Sequence, residues 1–268
     1  MKALLKAGAF LLGLAVVLTG LSYNVLRAQE LEKSGETGSR ALALETRPVD
    51  ATVTVIRMSG PVDLKLTQGT TPSMNVRAEQ RYLAKIVTTQ VGNTLTVDTR
   101  GVIINTHRPM VVELVLPAIE ELRVMGSGDA VVNGFAADKL HLQLNGSGDV
   151  RVNGSARQLI ASLNGSGDLS WEGTASEGVE LKLHGSGDVT VRGSTRDLAA
   201  TLMGSGDVQA RHFQSENASL SLMGSGDAHV NVKKTVTAVL HGSGDVIISG
   251  NPQQRSVSTS GSGEVRWE

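Results

Sequence analysis

The sequence contains no cysteine, few aromatic residues and no excess of charge of either sign, and each absence excludes a class of protein. Without cysteine there are no disulfide bonds, no thiolate nucleophile and no lipid attached through a thiol. Aromatic residues make up 3% of a chain with 31 glycines, which favours thin sheets and tight turns over a thick core. With 25 basic against 26 acidic side chains, no global field attracts nucleic acid, so we exclude a nucleic-acid-binding protein.

The N-terminus has the pattern of an export signal. Lys2 and Lys6 precede an uncharged run over residues 7–26, and Arg27 closes that run. The run is 20 residues long, which is enough for one membrane span, and Ala28 offers a cleavage site. Residues 1–28 are therefore predicted to be a signal peptide or an N-terminal membrane anchor, and both interpretations stay open.

Export places the rest of the chain in the periplasm or the cell envelope, because the positive charges stay on the cytoplasmic side. If the anchor is retained, residues 7–26 hold the protein in the inner membrane. The protein then contacts the membrane only through this N-terminal segment. Residues 29–47 are polar and mixed in charge, and they are predicted to form a tether.

Residues 48–121 alternate apolar and polar side chains over short stretches that turn residues separate, which is typical of β-strands. The period is loose, so this region is predicted to contain less regular N-terminal β rungs, and no long helix is expected. The predicted strands are Thr52–Ile56, Val62–Leu66, Met74–Ala78, Lys85–Gln90, Thr94–Asp98 and Met110–Leu116.

The region over residues 122–268 is organised around the tetrapeptide Gly-Ser-Gly-Asp, which occurs there eight times, with glutamate in the last copy. The acidic residues are 18 to 20 positions apart, and a fixed period of this length is the mark of a solenoid. The acids are Asp129, Asp149, Asp168, Asp188, Asp207, Asp227, Asp245 and Glu264.

Apolar residues recur at fixed distances from each acid. They stand five and seven positions before it and one and three positions after it. Residues two apart on a strand point to the same side, so these columns predict an inward face on both strands of every repeat. Glycines such as Gly154 and Gly193 are predicted to form a second corner. The sequence thus predicts an all-β fold, a parallel β-solenoid (β-helix) of about 19–20 residues per repeat, right-handed by the general preference of crossover connections.

Three stretches resemble a known family. They are the repeated Gly-Ser-Gly-Asp-Val, residues 57–69 (RMSGPVDLKLTQG) and residues 93–97 (NTLTV). Together they resemble the bacterial family described as putative auto-transporter adhesin, head GIN domain, over residues 53–268. The resemblance implies a β-helical surface or periplasmic domain, and it supplies neither catalytic residues nor a cofactor.

Stacked repeats would line up the eight acids about 4.8 Å apart, so that their like charges repel. One solution is structural: glycine lets the chain turn, and the carboxylates accept hydrogen bonds or face solvent. The other is a cation between carboxylates, since the motif resembles part of the calcium-binding repeat of another β-roll. We favour a structural corner for all eight acids. The candidate ligands under the calcium alternative are Asp149, Asp168, Asp188, Asp207 and Asp227.

The column four positions before the acid points away from the core and forms an outward stripe. Imidazole and thioether groups can bind copper, but parallel stacking spaces them along a line and does not gather them around one point. The stripe is therefore a candidate contact surface. Its central residues, which we call the outward stripe, are His184, Met203, Met223 and His241.

The regular repeats offer no singular group of residues suited to catalysis, so we predict a protein that is not an enzyme and has no cofactor. The predicted function is that of an exported cell-envelope module for binding, adhesion-like contact or structural support. Its partner would be an envelope protein or a glycan. The alternatives are a self-assembling scaffold, with the chain as a homo-oligomer, and a calcium-binding protein similar to the β-rolls.

Overall fold

Strands make up almost all of the regular structure in this computed structural model, which describes residues 40–101, 103 and 106–268. The predicted signal or anchor and the first part of the predicted tether lie outside the described residues. One short helix, α1 (Gln80–Leu83), occurs among the described residues. The strands are β1 (Leu42–Arg47), β2 (Val55–Ser59), β3 (Val62–Gln68), β4 (Ser73–Glu79), β5 (Ile86–Val91), β6 (Thr94–Thr99), β7 (Met110–Leu116), β8 (Glu121–Gly126), β9 (Ala130–Gly146), β10 (Val150–Gly165), β11 (Leu169–Gly185), β12 (Val189–Gly204), β13 (Val208–Gly224), β14 (Ala228–Gly242), β15 (Val246–Ser249), β16 (Gln254–Gly261) and β17 (Val265–Trp267).

Strands β9 to β14 form successive coils that pair in parallel. Val150 of β10 lies between Ala130 of β9 and Leu169 of β11, and each of these residues directly follows the acid of its coil. The first glycine of each motif likewise pairs with its equivalents above and below. The prediction of an all-β parallel solenoid is therefore confirmed, while its right-handedness stays a prediction.

Each coil has three sides and not the two that the sequence predicts. In the coil of β10, Val150 and Val152 are buried on one side, and alternate residues from Leu159 onward are buried on another. Buried Ala156 lies between them, four residues after Val152 and three before Leu159, so the chain bends on both sides of it. The strand register shifts at these bends. The predicted second corner at Gly154 is thus two bends, because a short third side separates them.

The inward columns stack into one continuous core. The leucines five positions before the acid are buried in the interior coils, as predicted, and Leu163 and Leu183 are among them. Burial of one such side chain stabilises the fold by about 1.5–3 kcal/mol. Trp171 and Phe213 fill the widest part of the core and meet edge to face, with ring centroids 5.8 Å apart. In the last coil Thr259 takes the leucine position and is exposed.

The N-terminal strands combine parallel coils with antiparallel strands. β2 pairs in parallel with β8, and β3 with β9, so these two strands form the first coil of the solenoid. On their other edges β2 pairs with β6 and β3 with β7, again in parallel. The antiparallel pairs β1–β4, β4–β7 and β5–β6 extend this end of the sheet, an arrangement that the sequence did not predict.

The predicted tether is wrong for its last six residues, which form β1. β1 pairs antiparallel with β4, from Leu42 to Arg47. The Arg47 guanidinium donates hydrogen bonds to the backbone carbonyls of Leu83 (3.0 Å) and Ile86 (2.7 Å). The polar composition suggested a tether, but the free edge of β4 offers backbone hydrogen bonds to any extended segment that reaches it.

Among residues 40–101, 103 and 106–268, no helix is long enough and apolar enough to cross a membrane. The predicted membrane anchor at residues 7–26 falls outside these residues. Whether that segment is an anchor or a cleaved signal stays a prediction.

Candidate binding faces and the acidic corner

Each acidic corner, the tetrapeptide Gly-Ser-Gly-Asp or Gly-Ser-Gly-Glu, needs glycine at both glycine positions, for two different reasons. Gly165 adopts φ = +145°, a region that residues with a side chain rarely occupy. A Cβ placed on Gly167 would overlap the carbonyl oxygen of Gly148 in the preceding coil. The first glycine therefore turns the chain, and both glycines let two coils approach each other, because a Cβ on Gly165 would likewise overlap the carbonyl oxygen of Gly146.

The acids of the corner form a hydrogen-bonded column that we call the carboxylate ladder. In each coil the Oδ1 atom accepts a hydrogen bond from the backbone N–H of the acid in the next coil, at 2.7 to 3.1 Å. The backbone carbonyl of that next acid in turn accepts the N–H of the residue after the first acid. Each pair of successive acids thus joins neighbouring coils through both a side-chain and a backbone hydrogen bond. The ladder runs through Asp63, Asp129, Asp149, Asp168, Asp188, Asp207, Asp227, Asp245 and Glu264.

Asp63 is the residue of the carboxylate ladder that the acidic motif in the sequence does not reveal. Its Oδ1 accepts the N–H of Asp129 at 3.0 Å, across a gap of 66 residues. The available signal was the spacing, since Gly60 stands three positions before Asp63, and buried Leu64 directly follows it. That signal was hidden because β4 to β7 are inserted between this coil and the next, which breaks the period of 18 to 20 residues.

The second oxygens of the ladder do not converge on a common point. Arg151 donates to Asp149 Oδ2 at 2.8 Å, and Arg266 lies 3.0 Å from Asp245 Oδ2. In the part of the chain that the structure describes, no group of three or more His, Asp or Glu side chains is placed to hold a metal ion. The five calcium candidates, Asp149 to Asp227, stand one to a coil along a line, so calcium binding stays a prediction without a gathered set of ligands.

The outward stripe lies where the sequence places it. His184, Met203, Met223 and His241 are in register with one another across four strands. Met203 and Met223 are 41% and 40% exposed, which is unusual for side chains of this size. The stripe therefore presents thioether groups to solvent.

Beside the stripe the sheet exterior carries no charge over three coils. From Ala199 to Met203 in β12, and at the paired positions of β13 and β14, the outward residues contain no Asp, Glu, Lys or Arg. In the preceding coil the equivalent positions hold Glu180 and Lys182, which pair at 2.6 Å. We call this surface the neutral face; its residues are Ala199, Thr201, Met203, Ser219, Ser221, Met223, Thr237, Val239 and His241.

A groove of about 500 Å³ runs along one border of the neutral face, across β10 to β14. Its lining is largely apolar: Ile160 and Ala199 are accessible there, and the buried residues Val179 and Leu198 lie beneath it. Asp197 lies on the rim, where Asn217 donates to its Oδ1 (2.8 Å) and Arg196 to its Oδ2 (2.9 Å). These two hydrogen bonds lower the pKa of Asp197, so the rim carries an ionised carboxylate. The sequence reasoning missed this groove because it depends on how neighbouring coils bend.

A second column of charged residues, the alternating ladder, lies outside the groove and changes sign from coil to coil. Arg157 binds Asp138 through Nε and Nη2 and Glu177 through Nη1 (2.8 Å). Further along, Lys234 binds Glu216 at 2.9 Å. These hydrogen bonds from Arg157 lower the pKa of Asp138 and of Glu177 and raise that of Arg157 itself. The ladder consists of Asp138, Arg157, Glu177, Arg196, Glu216 and Lys234.

The sequence contains a signal for this ladder, although the reasoning from the acidic motif did not use it. The six charges are also 18 to 20 positions apart, and they alternate in sign without exception. A second alignment of the repeats, seven to nine positions after each acid, would have shown that they share one edge of the solenoid.

Fold and corner together define a class of protein, a parallel β-solenoid that bears one acidic corner per coil. The chain belongs to the family described as putative auto-transporter adhesin, head GIN domain, whose model matches residues 53–179 and 175–252. The resemblance seen in the sequence is thus confirmed. The family description is that of an adhesin and not that of an enzyme. No curated protein matches the chain significantly.

Solved structures share this fold at low sequence identity. A putative adhesin from Bacteroides fragilis NCTC 9343 is 21% identical over 86% of this chain and 99% of its own, with a TM-score of 0.65. A putative adhesin from Parabacteroides merdae ATCC 43184 is 16% identical over 87% and 97%, with a TM-score of 0.78. A putative lipid binding protein from Parabacteroides distasonis ATCC 8503 is 20% identical over 86% and 98%, with a TM-score of 0.77. At these identities the similarity shows the fold alone.

Proposed function

We propose that the protein is an exported, non-enzymatic binding module of the cell envelope that holds its partner against the neutral face and the adjoining groove. The observation that carries the proposal is the neutral face itself, which has no charged side chain at nine outward positions. The equivalent positions of β11 carry the ion pair of Glu180 and Lys182, whereas those of β10 are again uncharged, with Ile160, Ser162 and Asn164. The adhesin description of the family supports a role in contact at the envelope.

The chemistry of the groove favours a neutral, extended ligand such as a glycan chain. The charged residues in its lining are Glu180 and Asp197, with no Lys or Arg, so an anionic chain would be repelled. Gln158, Asn217 and Thr235 offer amide and hydroxyl groups that bind sugar hydroxyls. Because the groove crosses the coils, it presents its contacts about every 4.8 Å along its length, as a polymeric ligand requires.

Lipid binding is a second candidate function, and the largely apolar lining of the groove favours it. Ile160 and Ala199, which are accessible in the lining, could cover part of an acyl chain. One of the structures with this fold is described as a putative lipid binding protein. The same two carboxylates in the lining disfavour an anionic headgroup, so a neutral or zwitterionic lipid would fit better.

An array of neutral and acidic glycans, combined with a pull-down from envelope extracts, tests the proposal. We expect neutral glycans to bind, and Ser219→Arg or Thr237→Arg on the neutral face to weaken binding about tenfold, which is about 1.4 kcal/mol. The matched control is Gln209→Arg, at an exposed position on another side of the same coil as Ser219. A blank array and a blank pull-down together would contradict the proposal. Binding to zwitterionic vesicles alone would favour the lipid candidate.

A further inference from the structure

At the N-terminal end of the solenoid, further strands extend the first coil. β7 pairs in parallel with β3 and antiparallel with β4, and β5 pairs antiparallel with β6. Arg47 donates to the carbonyls of Leu83 and Ile86, next to the outermost strand β5. Charged side chains on an outer strand are a common means of preventing edge-to-edge association. β1 has this feature too, since Glu45 and Arg47 pair on it at 3.2 Å.

The C-terminal end differs, because no further strands extend its last coil among the described residues, although β16 contains Arg255 and β17 contains Arg266. In the described residues β16 pairs only with β14, and β17 only with β15. All eight residues of β16 are exposed, and Ser256 to Gly261 include no charged residue and no proline. Val257 is 41% exposed, whereas Ala238, its neighbour in the previous coil, is 1% exposed. The last coil therefore presents an open backbone edge beside uncovered core positions.

The free edge of β16 is complementary to itself. An antiparallel pair of identical strands needs a two-fold axis, and an axis at Ser258 sets Val257 of one copy opposite Thr259 of the other. These two residues continue the buried columns of Ala238 and Leu240, so pairing would cover the core positions that the last coil leaves exposed. The one charged residue of the strand, Arg255, would lie opposite Gly261 of the other copy, so that no like charges face each other across the axis. Glu264 lies six residues from the axis, so the two carboxylate ladders are not brought together.

We propose that the C-terminal coil docks against the same coil of a second copy, with β16 pairing antiparallel to β16, and that the result is a closed dimer. The surface meets itself, which makes the contact isologous and leaves no further edge of this kind for growth. The N-terminal end presents the outer strands β1 and β5, which are unlike β16, and this difference disfavours head-to-tail addition. β16 adjoins the neutral face, because Val239 pairs with Ser258, but the proposed contact uses the backbone edge of β16 and needs no ligand on that face.

Light scattering of the full chain over a wide concentration range tests the assembly. We expect a dimer, and we expect Val257→Lys to raise the dimer dissociation constant at least tenfold, because it points a charge into the contact. The control is Val91→Lys, at a residue that is 74% exposed near the N-terminal end, and it should leave the dimer unchanged. A monomer at all concentrations, or a series of growing oligomers, would overturn the proposal.

Cysteine cross-linking locates the contact, because the chain has no cysteine of its own. Ser258→Cys places one thiol at the proposed axis, where two copies should form a disulfide-linked dimer under mild oxidation. Ser219→Cys places a thiol at an exposed position of the neutral face, and this variant should migrate as an uncross-linked monomer on a non-reducing denaturing gel. Equal cross-linking of the two variants, or none at Ser258→Cys, would show that the copies do not meet at β16.

Discussion

The carboxylate ladder and the alternating ladder run along the same solenoid with one charge per coil, yet they solve the problem of stacked charges differently. In the carboxylate ladder every charge is negative, and each carboxylate accepts a backbone N–H from the next coil, as Asp149 accepts that of Asp168 at 3.1 Å. In the alternating ladder neighbouring side chains pair with each other, as Arg157 does with Asp138 and Glu177. The carboxylate ladder thus consists of hydrogen bonds between side chains and backbone, while the alternating ladder consists of ion pairs between side chains.

This difference shows why one ladder is a fixed motif and the other is not. Two like charges about 4.8 Å apart repel by roughly 1 kcal/mol in water, and a charge-assisted hydrogen bond to a backbone N–H offsets that repulsion. The geometry of that bond requires the close approach that glycine permits at Gly167. The alternating ladder needs no special backbone, so its residues vary among Arg, Lys, Asp and Glu. Because the carboxylates of the acidic corner already accept backbone hydrogen bonds, a binding function is more consistent with the neutral face than with the corner.

The largest effect is expected from Gly167→Ala in the acidic corner. The added Cβ overlaps the carbonyl oxygen of Gly148, so neighbouring coils must separate, at a cost of about 3 kcal/mol. The matched control is Gly178→Ala, whose Cβ would lie 3.6 Å from its nearest neighbour, an ordinary contact, and which should change stability by less than about 0.5 kcal/mol. Urea denaturation measures both. Equal midpoints for the two variants would refute the role of close approach.

A smaller loss is expected from Asp168→Ala, which removes the acceptor of the Asp188 N–H. An unsatisfied N–H at a coil junction costs about 1–2 kcal/mol. Asp168→Asn keeps an acceptor oxygen and removes one like charge, so it should recover most of that stability. Denaturation midpoints of the two variants separate the hydrogen bond from the charge. If the asparagine variant is as unstable as the alanine variant, the charge and not the acceptor stabilises the corner.

The smallest effect is expected from Arg157→Gln in the alternating ladder. Arg157 lowers the pKa of Asp138 and of Glu177 below their ordinary values near 4. These pairs therefore stabilise the fold above the unfolded pKa, and the contribution is lost as the pH falls through the lower folded pKa. The variant should melt slightly lower at neutral pH, by about 2 °C or less, with a flatter decline below about pH 4.

Arg192→Gln, at an exposed arginine on another side of the coil, is the control for that pH profile. The melting temperature of this variant should fall at acid pH in the same way as that of the unchanged protein. An unchanged profile for Arg157→Gln would show that these surface pairs add nothing to stability. High salt offers a second check, because screening should reduce the difference between Arg157→Gln and the unchanged protein.

Much of the fold could be predicted from the sequence because repetition multiplies a weak signal. A single Leu five residues before an acid says little, but Leu163, Leu183 and Leu202 at the same place predict a buried column, which the structure confirms. The strands predicted in the N-terminal region also lie close to the observed strands. β7 begins and ends at the predicted residues. Which strands pair there was not predictable, since β4 pairs antiparallel with two strands that are distant in sequence.

The candidate site was less accessible to sequence reasoning. The outward stripe followed from its column, whereas the groove arises from the two bends around positions such as Ala156, which create a third side of the coil. Asp63 was hidden by the insertion that separates it from Asp129. In both cases the missing information is the distance between chain segments in space, which a one-dimensional period does not contain.

Amide hydrogen exchange at Asp188 tests most directly the claim that the acidic corner joins coil to coil. Asp168 Oδ1 accepts this N–H at 3.0 Å, so the amide should be protected in the unchanged protein. It should exchange much faster in Asp168→Ala and stay protected in Asp168→Asn, while the amide of Asp227, two coils further on, keeps its protection in both. Rapid exchange at Asp188 in the unchanged protein, or unaltered protection in Asp168→Ala, would contradict the account.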